Sequence, residues 1–200
     1  MNMTQLQQLT QDLKGNIGKA IMGKDEQIEK ILLALYSGGH ILLEDIPGTG
    51  KTTMAKALAR SLDCQFKRVQ FTPDLLPSEV TGINFYNQKE QQFQFKPGAI
   101  FTNILLADEI NRATPRTQSA LLECMAGQQV TVDGETRKLE DPFMVIATQN
   151  PVETYGCFPL PEAQLDRFLM KLSMGGLTEA QERAMIDRFL TSEPLETLEP

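Results

Sequence analysis

Tryptophan is absent from this chain, histidine occurs once (His40), and cysteine three times, at Cys64, Cys124 and Cys157. Aromatic residues make up only 6% of the sequence, so no surface for stacking nucleic-acid bases is evident. A single histidine with no His or Cys partner nearby reads as a residue at the start of a strand, not as a metal ligand or catalytic base. The cysteines are odd in number, scattered and without a CxxC pair, which argues against zinc or disulfides and for buried thiols in a reducing compartment. No apolar run approaches the ~20 residues needed to span a bilayer. The start, Met1-Asn2-Met3-Thr4-Gln5, lacks the basic and apolar regions of a signal peptide, so a cytoplasmic location is expected. The net charge of -7 opposes wholesale binding to a nucleic-acid backbone and leaves room only for a local basic channel.

What is present suits a single soluble domain. The 200 residues, 41% hydrophobic and 22% charged, are enough for one sizeable core. The most informative stretch is Asp45-Ile46-Pro47-Gly48-Thr49-Gly50-Lys51-Thr52. It follows the apolar run Ile41-Leu42-Leu43 and leads into helical spacing at Met54, Ala55, Leu58, Ala59 and Leu62. Strand, glycine-rich turn, then Lys-Thr opening a helix is the context of a phosphate-binding loop. The glycines let backbone N–H groups crowd around a phosphate, and the helix start adds its positive dipole end. Lys51 would reach the β- and γ-phosphates, and the Thr52 hydroxyl would meet Mg²⁺. Pro47, Gly48, Thr49, Gly50, Lys51, Thr52 and Thr53 are therefore the candidate nucleotide-binding set. One position departs from the pattern: Asp45 stands where the first glycine is usual.

Downstream, Ile104-Leu105-Leu106-Ala107-Asp108-Glu109 reads as a buried parallel strand ending in two carboxylates. Asp108 would hold Mg²⁺ through its water shell, and Glu109 would polarise the attacking water. Read alone, the pair is equally an acidic helix start; together with the upstream loop it points to a nucleotide hydrolase.

The pattern along the chain alternates strand and helix, as in an α/β sheet. Leu6, Leu9 and Leu13 suggest a first helix, and Ile28, Ile31, Leu32 and Leu35 a second. Five strands are expected at Ile41–Leu43, Phe66–Phe71, Ile104–Ala107, Phe143–Thr148 and Phe168–Leu172. Thr114-Pro115 looks like a helix N-cap and first turn. Thr178 and Gln181 form a capping-box pattern opening a last helix to about Leu190. Two hairpins interrupt the alternation. One pairs Ile83 and Phe85 with Phe93 and Phe95; the other runs Val130–Val132, turns at Asp133-Gly134 and returns over Arg137–Leu139. Bare hairpins can be decoration, or both can project from one face of a nucleotide domain.

These segments together resemble the MoxR group of AAA+ ATPases. The resemblance runs from about Ile17 to Leu172. It rests on Ile41 to Thr52, on Arg68-Val69-Gln70-Phe71-Thr72-Pro73-Asp74-Leu75-Leu76-Pro77-Ser78, and on Leu105 to Pro115. Ala147-Thr148-Gln149-Asn150-Pro151 and Leu160-Pro161-Glu162-Ala163-Gln164-Leu165-Asp166-Arg167-Phe168 complete it. It implies a P-loop AAA+ α/β core with a five-stranded parallel sheet flanked by helices and two hairpin insertions. It also implies ATP with Mg²⁺ as cofactors and Met22-Gly23-Lys24 beside the adenine. Asn150 would be the polar residue that positions the attacking water; from the residues alone it is equally a turn-forming Asn before Pro151. Arg167 would be an arginine finger offered to a neighbouring subunit, or else a surface ion pair with Asp166 or Glu162. Arg112 and Arg116 are further candidates for inter-subunit contacts.

The implied function is ATP hydrolysis driving chaperone-like remodelling of protein complexes by a homo-oligomeric ring, a hexamer. Its partners would be a von Willebrand factor A domain protein and a protein client. The expected organisation is a nucleotide-binding core over 1–176, then over 177–200 a first lid helix and an acidic linker, the rest of the lid being absent. Two other function classes stay open. A nucleic-acid motor is disfavoured because Asp133, Glu135, Glu140 and Asp141 outnumber Arg137 and Lys138 around the second hairpin. A nucleotide-gated module with negligible turnover is the other.

Overall fold

The structure is a computed structural model and describes residues 2–46, 48–152, 156–179, 181–183, 185 and 194–198. Two helices, α1 (Met3–Ala20) and α2 (Asp25–Tyr36), precede β1 (Ile41–Glu44), α3 (Lys51–Ser61) and β2 (Phe66–Gln70). A short helix, α4 (Pro77–Thr81), leads into the hairpin β3 (Gly82–Asn87) and β4 (Gln92–Pro97). Then come β5 (Ile104–Asp108), a 3-10 turn (Ile110–Arg112), α5 (Pro115–Gly127) and the second hairpin, β6 (Gln129–Val132) and β7 (Glu135–Lys138). The last elements of the core are β8 (Met144–Gln149), α6 (Glu162–Leu165) and β9 (Met170–Leu172).

Five strands form one sheet in the order β2-β5-β8-β1-β9, and every pairing is parallel. Both faces are covered, which is why the central strands read as unbroken apolar runs. Alternate residues divide between two cores. Ile41, Leu43, Ile104, Leu106, Met144 and Ile146 pack with Ile17, Ile28, Ile31 and Leu58 from α1, α2 and α3. Leu42, Leu105, Ala107, Val145 and Ala147 pack with Leu121 and Leu122 of α5 and with Phe71. Truncating a central residue such as Leu106→Ala would cost about 2–5 kcal/mol, because a rigid sheet cannot close over the cavity.

All five expected strands are present, each within about two residues of its expected bounds. The expected α1 stripe is displaced. Leu9 is exposed, and the buried residues are Leu13, Ile17 and Ala20, a stripe in the second half of the helix where it crosses α3. In α2, Ile28, Ile31 and Leu32 are buried as expected, and Leu35 is partly buried. Thr114 and Pro115 do open α5 as N-cap and first position. Thr178 and Gln181 exchange both capping-box hydrogen bonds, at 2.9 and 3.3 Å. The rest of the helix expected up to about Leu190 lies mostly outside the described residues. Pro194–Thr197, inside the stretch expected as a linker, forms a 3-10 turn against α1 and α3 instead, with Leu198 buried in the core.

Both expected hairpins form, and they pack on each other. Asp133 and Gly134 both have positive φ, at 50° and 83°, as a tight two-residue hairpin turn requires. The Arg137 guanidinium lies 4.0 Å from the centre of the Phe95 ring, and Asn84 Nδ2 donates to Asp133 Oδ2 at 2.9 Å. His40 is buried at the start of β1. Its Nδ1 accepts the Val145 N–H at 3.0 Å, so Nε2 carries the proton and donates to the Met125 carbonyl at 3.1 Å. It ties the end of α5 to the sheet, a structural role. No disulfide links the three cysteines. No helix among the described residues is long and apolar enough to cross a membrane.

Candidate active site

In a parallel sheet every strand ends at the same edge, and the candidate residues sit there. β1 and β8 are register neighbours, Glu44 opposite Gln149, so the segments after them emerge side by side. Gln70 stands opposite Asp108 on β2 and β5.

The loop after β1 turns through Gly48 and Gly50, with φ of 86° and 87°. Gly50 is the N-cap of α3, in a left-handed conformation that a side chain would strain. The first turn of α3 thus presents N–H groups with no partner inside the helix. No acidic residue lies in that turn. Lys51 Nζ donates to the Asp45 carbonyl at 2.8 Å and to the Ile46 carbonyl at 3.3 Å. Pro47 lies outside the described residues.

At the end of β5 the two carboxylates are held by side chains from neighbouring strands. Asp108 Oδ1 accepts the Thr148 hydroxyl at 2.6 Å. Its Oδ2 accepts Arg68 Nη2 at 2.6 Å and Nε at 3.1 Å. Glu109 adopts a left-handed conformation, φ 56°, and its N–H donates to Thr148 Oγ1 at 2.8 Å. Glu109 Oε2 accepts Gln70 Nε2 at 2.7 Å and lies 3.4 Å from Arg112 Nη1. Arg68 Nη2 also reaches Gln70 Oε1 at 3.0 Å, which joins the two carboxylates into one network. The sequence reading gave no site role to Arg68, Gln70 or Thr148. Only the spacing of Arg68 and Gln70, two apart on one strand and so on one face, hinted at a shared target.

Lys51, Thr52, Thr53, Asp108, Glu109 and Asn150 line one cavity of about 390 Å³ with Gly48, Arg68 and Gln70. Asn150 is buried and its Oδ1 accepts the Val152 N–H at 3.1 Å. It therefore makes the expected turn and also faces the cavity. A second cavity, of about 400 Å³ and more apolar, is lined by Met22, Lys24, Ile46, Thr49 and Leu177. The two meet at Gly48, Gly50 and Thr53. Gly23 does not line the second cavity; its φ is 67°, and a Cβ there would lie 2.1 Å from Gln181 Nε2. Arg167 lines neither cavity. It is exposed, with Nη1 donating to the Leu122 carbonyl at 3.1 Å, and among the described residues it forms no ion pair with Asp166 or Glu162.

Residues 40–170 match the family model of the ATPase family associated with various cellular activities (AAA). The chain is also 44% identical over 178 residues to Chaperone MoxR1 of Mycobacterium tuberculosis, covering 89% of this chain and 47% of that protein. The chain belongs to the MoxR group of AAA+ ATPases. It is 56% identical over 185 residues to the uncharacterized protein YeaC of Bacillus subtilis, covering 92% of this chain and 58% of YeaC. A crystal structure of a candidate ATPase from Cytophaga hutchinsonii superposes with a TM-score of 0.80 at 42% identity. That match covers 94% of this chain and 59% of the other. This AAA+ chain thus spans about half the length of the curated relatives it matches. Its P-loop fold and parallel sheet agree with the family, whose members are nucleotide-binding ATPases.

Proposed function

We propose that this chain binds Mg-ATP across the two joined cavities and hydrolyses it, as one subunit of a ring that remodels protein complexes. The observation that carries this reading is the convergence of Lys51, Thr52, Asp108, Glu109 and Asn150 on one cavity wall at the sheet edge. The adjoining apolar cavity offers space of the right character for a purine.

The donor set suits Mg²⁺. Thr52 supplies a hydroxyl and Asp108 a carboxylate, hard oxygens of the kind this ion prefers. Mg²⁺ takes only one or two protein ligands where phosphate oxygens and waters complete its shell. When bound, the ion neutralises charge developing on the β- and γ-phosphates.

The chain's own residues supply the rest. Lys51 exchanges two loop carbonyls for phosphate oxygens, a change favoured by the charge-assisted bond it gains. The N–H groups opening α3 cradle the phosphates. Gln70 and Arg112 both address Glu109 Oε2, which supports Oε1 as the oxygen that accepts a proton from the attacking water. Asn150 spends Oδ1 on its turn and keeps the Nδ2 amide to orient that water. Arg167 is exposed and does not line its own cavity, which supports a role at a neighbour's site in trans.

The paired hairpins fit a protein client better than a phosphate backbone. Phe93 and Tyr86 are 74% and 52% exposed and stack edge to face. Arg137 is taken up by Glu135 and Phe95. A von Willebrand factor A domain partner and a hexameric ring belong to the same proposal. Titrating the chain with a fluorescent ATP analogue, with and without Mg²⁺, and assaying phosphate release tests the reading. Saturable, Mg²⁺-dependent binding with turnover supports it; no binding refutes it.

A further inference from the structure

Asp45, where a phosphate loop ordinarily has its first glycine, carries a buried carboxylate with a definite task. β1 and β9 are parallel neighbours, Leu43 opposite Leu172, so Asp45 and Ser173 leave the sheet side by side. The carboxylate accepts the Ser173 hydroxyl at 2.7 Å, the Met174 N–H at 2.5 Å and the Gly175 N–H at 3.3 Å. The Lys24 ammonium, also buried, donates to the Gly175 carbonyl at 3.0 Å and to the Gly176 carbonyl at 2.7 Å. An anion therefore grips the N–H groups of this segment and a cation its carbonyls. Each of these bonds involves a charged group, the stronger kind. Both side chains are nearly out of water, at 7% and 5% exposure, so each loses more than an exposed group would if its partners were removed.

The gripped segment is a wall of the apolar cavity: Lys24, Gly175 and Gly176 line it together with Met22 and Ile46. Asp45 itself lines the other cavity, together with Gly48, Gly50 and Lys51 of the same loop. We infer that Asp45 and Lys24 are positioning residues: Asp45 holds the base-side wall to the phosphate loop, Lys24 holds it to the start of α2, and together they set the spacing between base and phosphates. A glycine at position 45 would remove the loop's hold on the wall and leave only that of Lys24. This inference rests on the nucleotide reading and goes beyond it by assigning the base-side geometry to the Asp45 and Lys24 side chains, to which that reading gives no task.

Competition against a fluorescent ATP analogue, using ADP and inorganic tripolyphosphate as competitors in the 200-residue chain, separates the two functions. Asp45→Gly should weaken ADP roughly 5- to 20-fold more than it weakens tripolyphosphate, because positioning of the base is lost while the backbone N–H cradle is kept. Lys24→Met should show the same split and carries the test if Asp45→Gly does not fold. Amide hydrogen exchange at Met174 and Gly175 should accelerate by about tenfold or more in Asp45→Gly. Equal loss for both competitors in both variants, or no loss for either, overturns the inference and leaves nucleotide binding standing. Failure of the unmodified chain to bind ADP or the analogue overturns the nucleotide reading itself.

Discussion

Arg68 on the edge strand β2 meets Asp108 on β5 through two nitrogens on one carboxylate oxygen, at 2.6 and 3.1 Å. The oxygen it holds belongs to the carboxylate proposed to face Mg²⁺. An ion pair at that place neutralises Asp108 and competes with the metal for it.

Replacing Arg68 by Gln should therefore lower the Mg²⁺ concentration that half-saturates nucleotide binding. The arginine side chain is 47% exposed, so screening limits the effect to about two- to fivefold. Titrating Mg²⁺ against a fixed concentration of fluorescent ATP analogue reads the midpoint. An unchanged or higher midpoint would mean that the ion pair does not oppose the metal.

His40 gives a pH prediction independent of the site. Burial lowers its pKa below the ordinary 6.5, partly offset by the hydrogen bond to Met125. The folded chain therefore takes up this proton less readily than the unfolded chain. Stability from this group is complete above about pH 6.5 and is lost as pH falls through that value toward the folded pKa. Since His40 is the only histidine, thermal unfolding of the wild type should fall more than that of His40→Gln between about pH 7.5 and about pH 5.5. His40→Ala should cost about 2–4 kcal/mol through two buried backbone groups left without partners. Parallel pH profiles for the wild type and His40→Gln would count against the buried neutral imidazole.

Arg167 tests assembly. If it serves a neighbouring subunit, Arg167→Ala should bind nucleotide normally and lose turnover by roughly 10³-fold or more. Mixing it with Lys51→Ala, which keeps Arg167 but lacks a working loop, should restore activity at mixed interfaces. If the mixture stays inactive while a size measurement shows co-assembly, the trans role fails and the bond to Leu122 is what Arg167 is for.

The sequence was legible where structure is local. Leu42, Leu105 and Val145 belong to strands covered on both faces, so the sheet announces itself as apolar runs. The loop at Gly48 to Thr52, and the pair Asp108-Glu109, are contiguous and read directly. Asp133-Gly134 marked its hairpin because a two-residue turn demands positive φ. Relations between distant residues were hidden. Arg68 and Asp108 are 40 positions apart, and their meeting follows from strand order and register, which composition does not encode. Asp45 looked like a defect of its motif because its partners lie 128 to 130 residues downstream. The burial of Leu198 was masked by its acidic, proline-bearing surroundings, which read as a linker until α1 and α3 offered a surface to cover.

If Lys51 secures the nucleotide and Glu109 activates the attacking water, binding and turnover are separable by mutation. Measuring the affinity for a fluorescent ATP analogue and the release of phosphate in Lys51→Ala and Glu109→Gln tests it most directly. Lys51→Ala should weaken binding by about tenfold or more, because a charge-assisted phosphate contact is lost. Glu109→Gln should bind as tightly as the wild type and release phosphate at least about 10²-fold more slowly, because its general base is gone. Equal loss of binding in both variants, or undiminished turnover in Glu109→Gln, would contradict it.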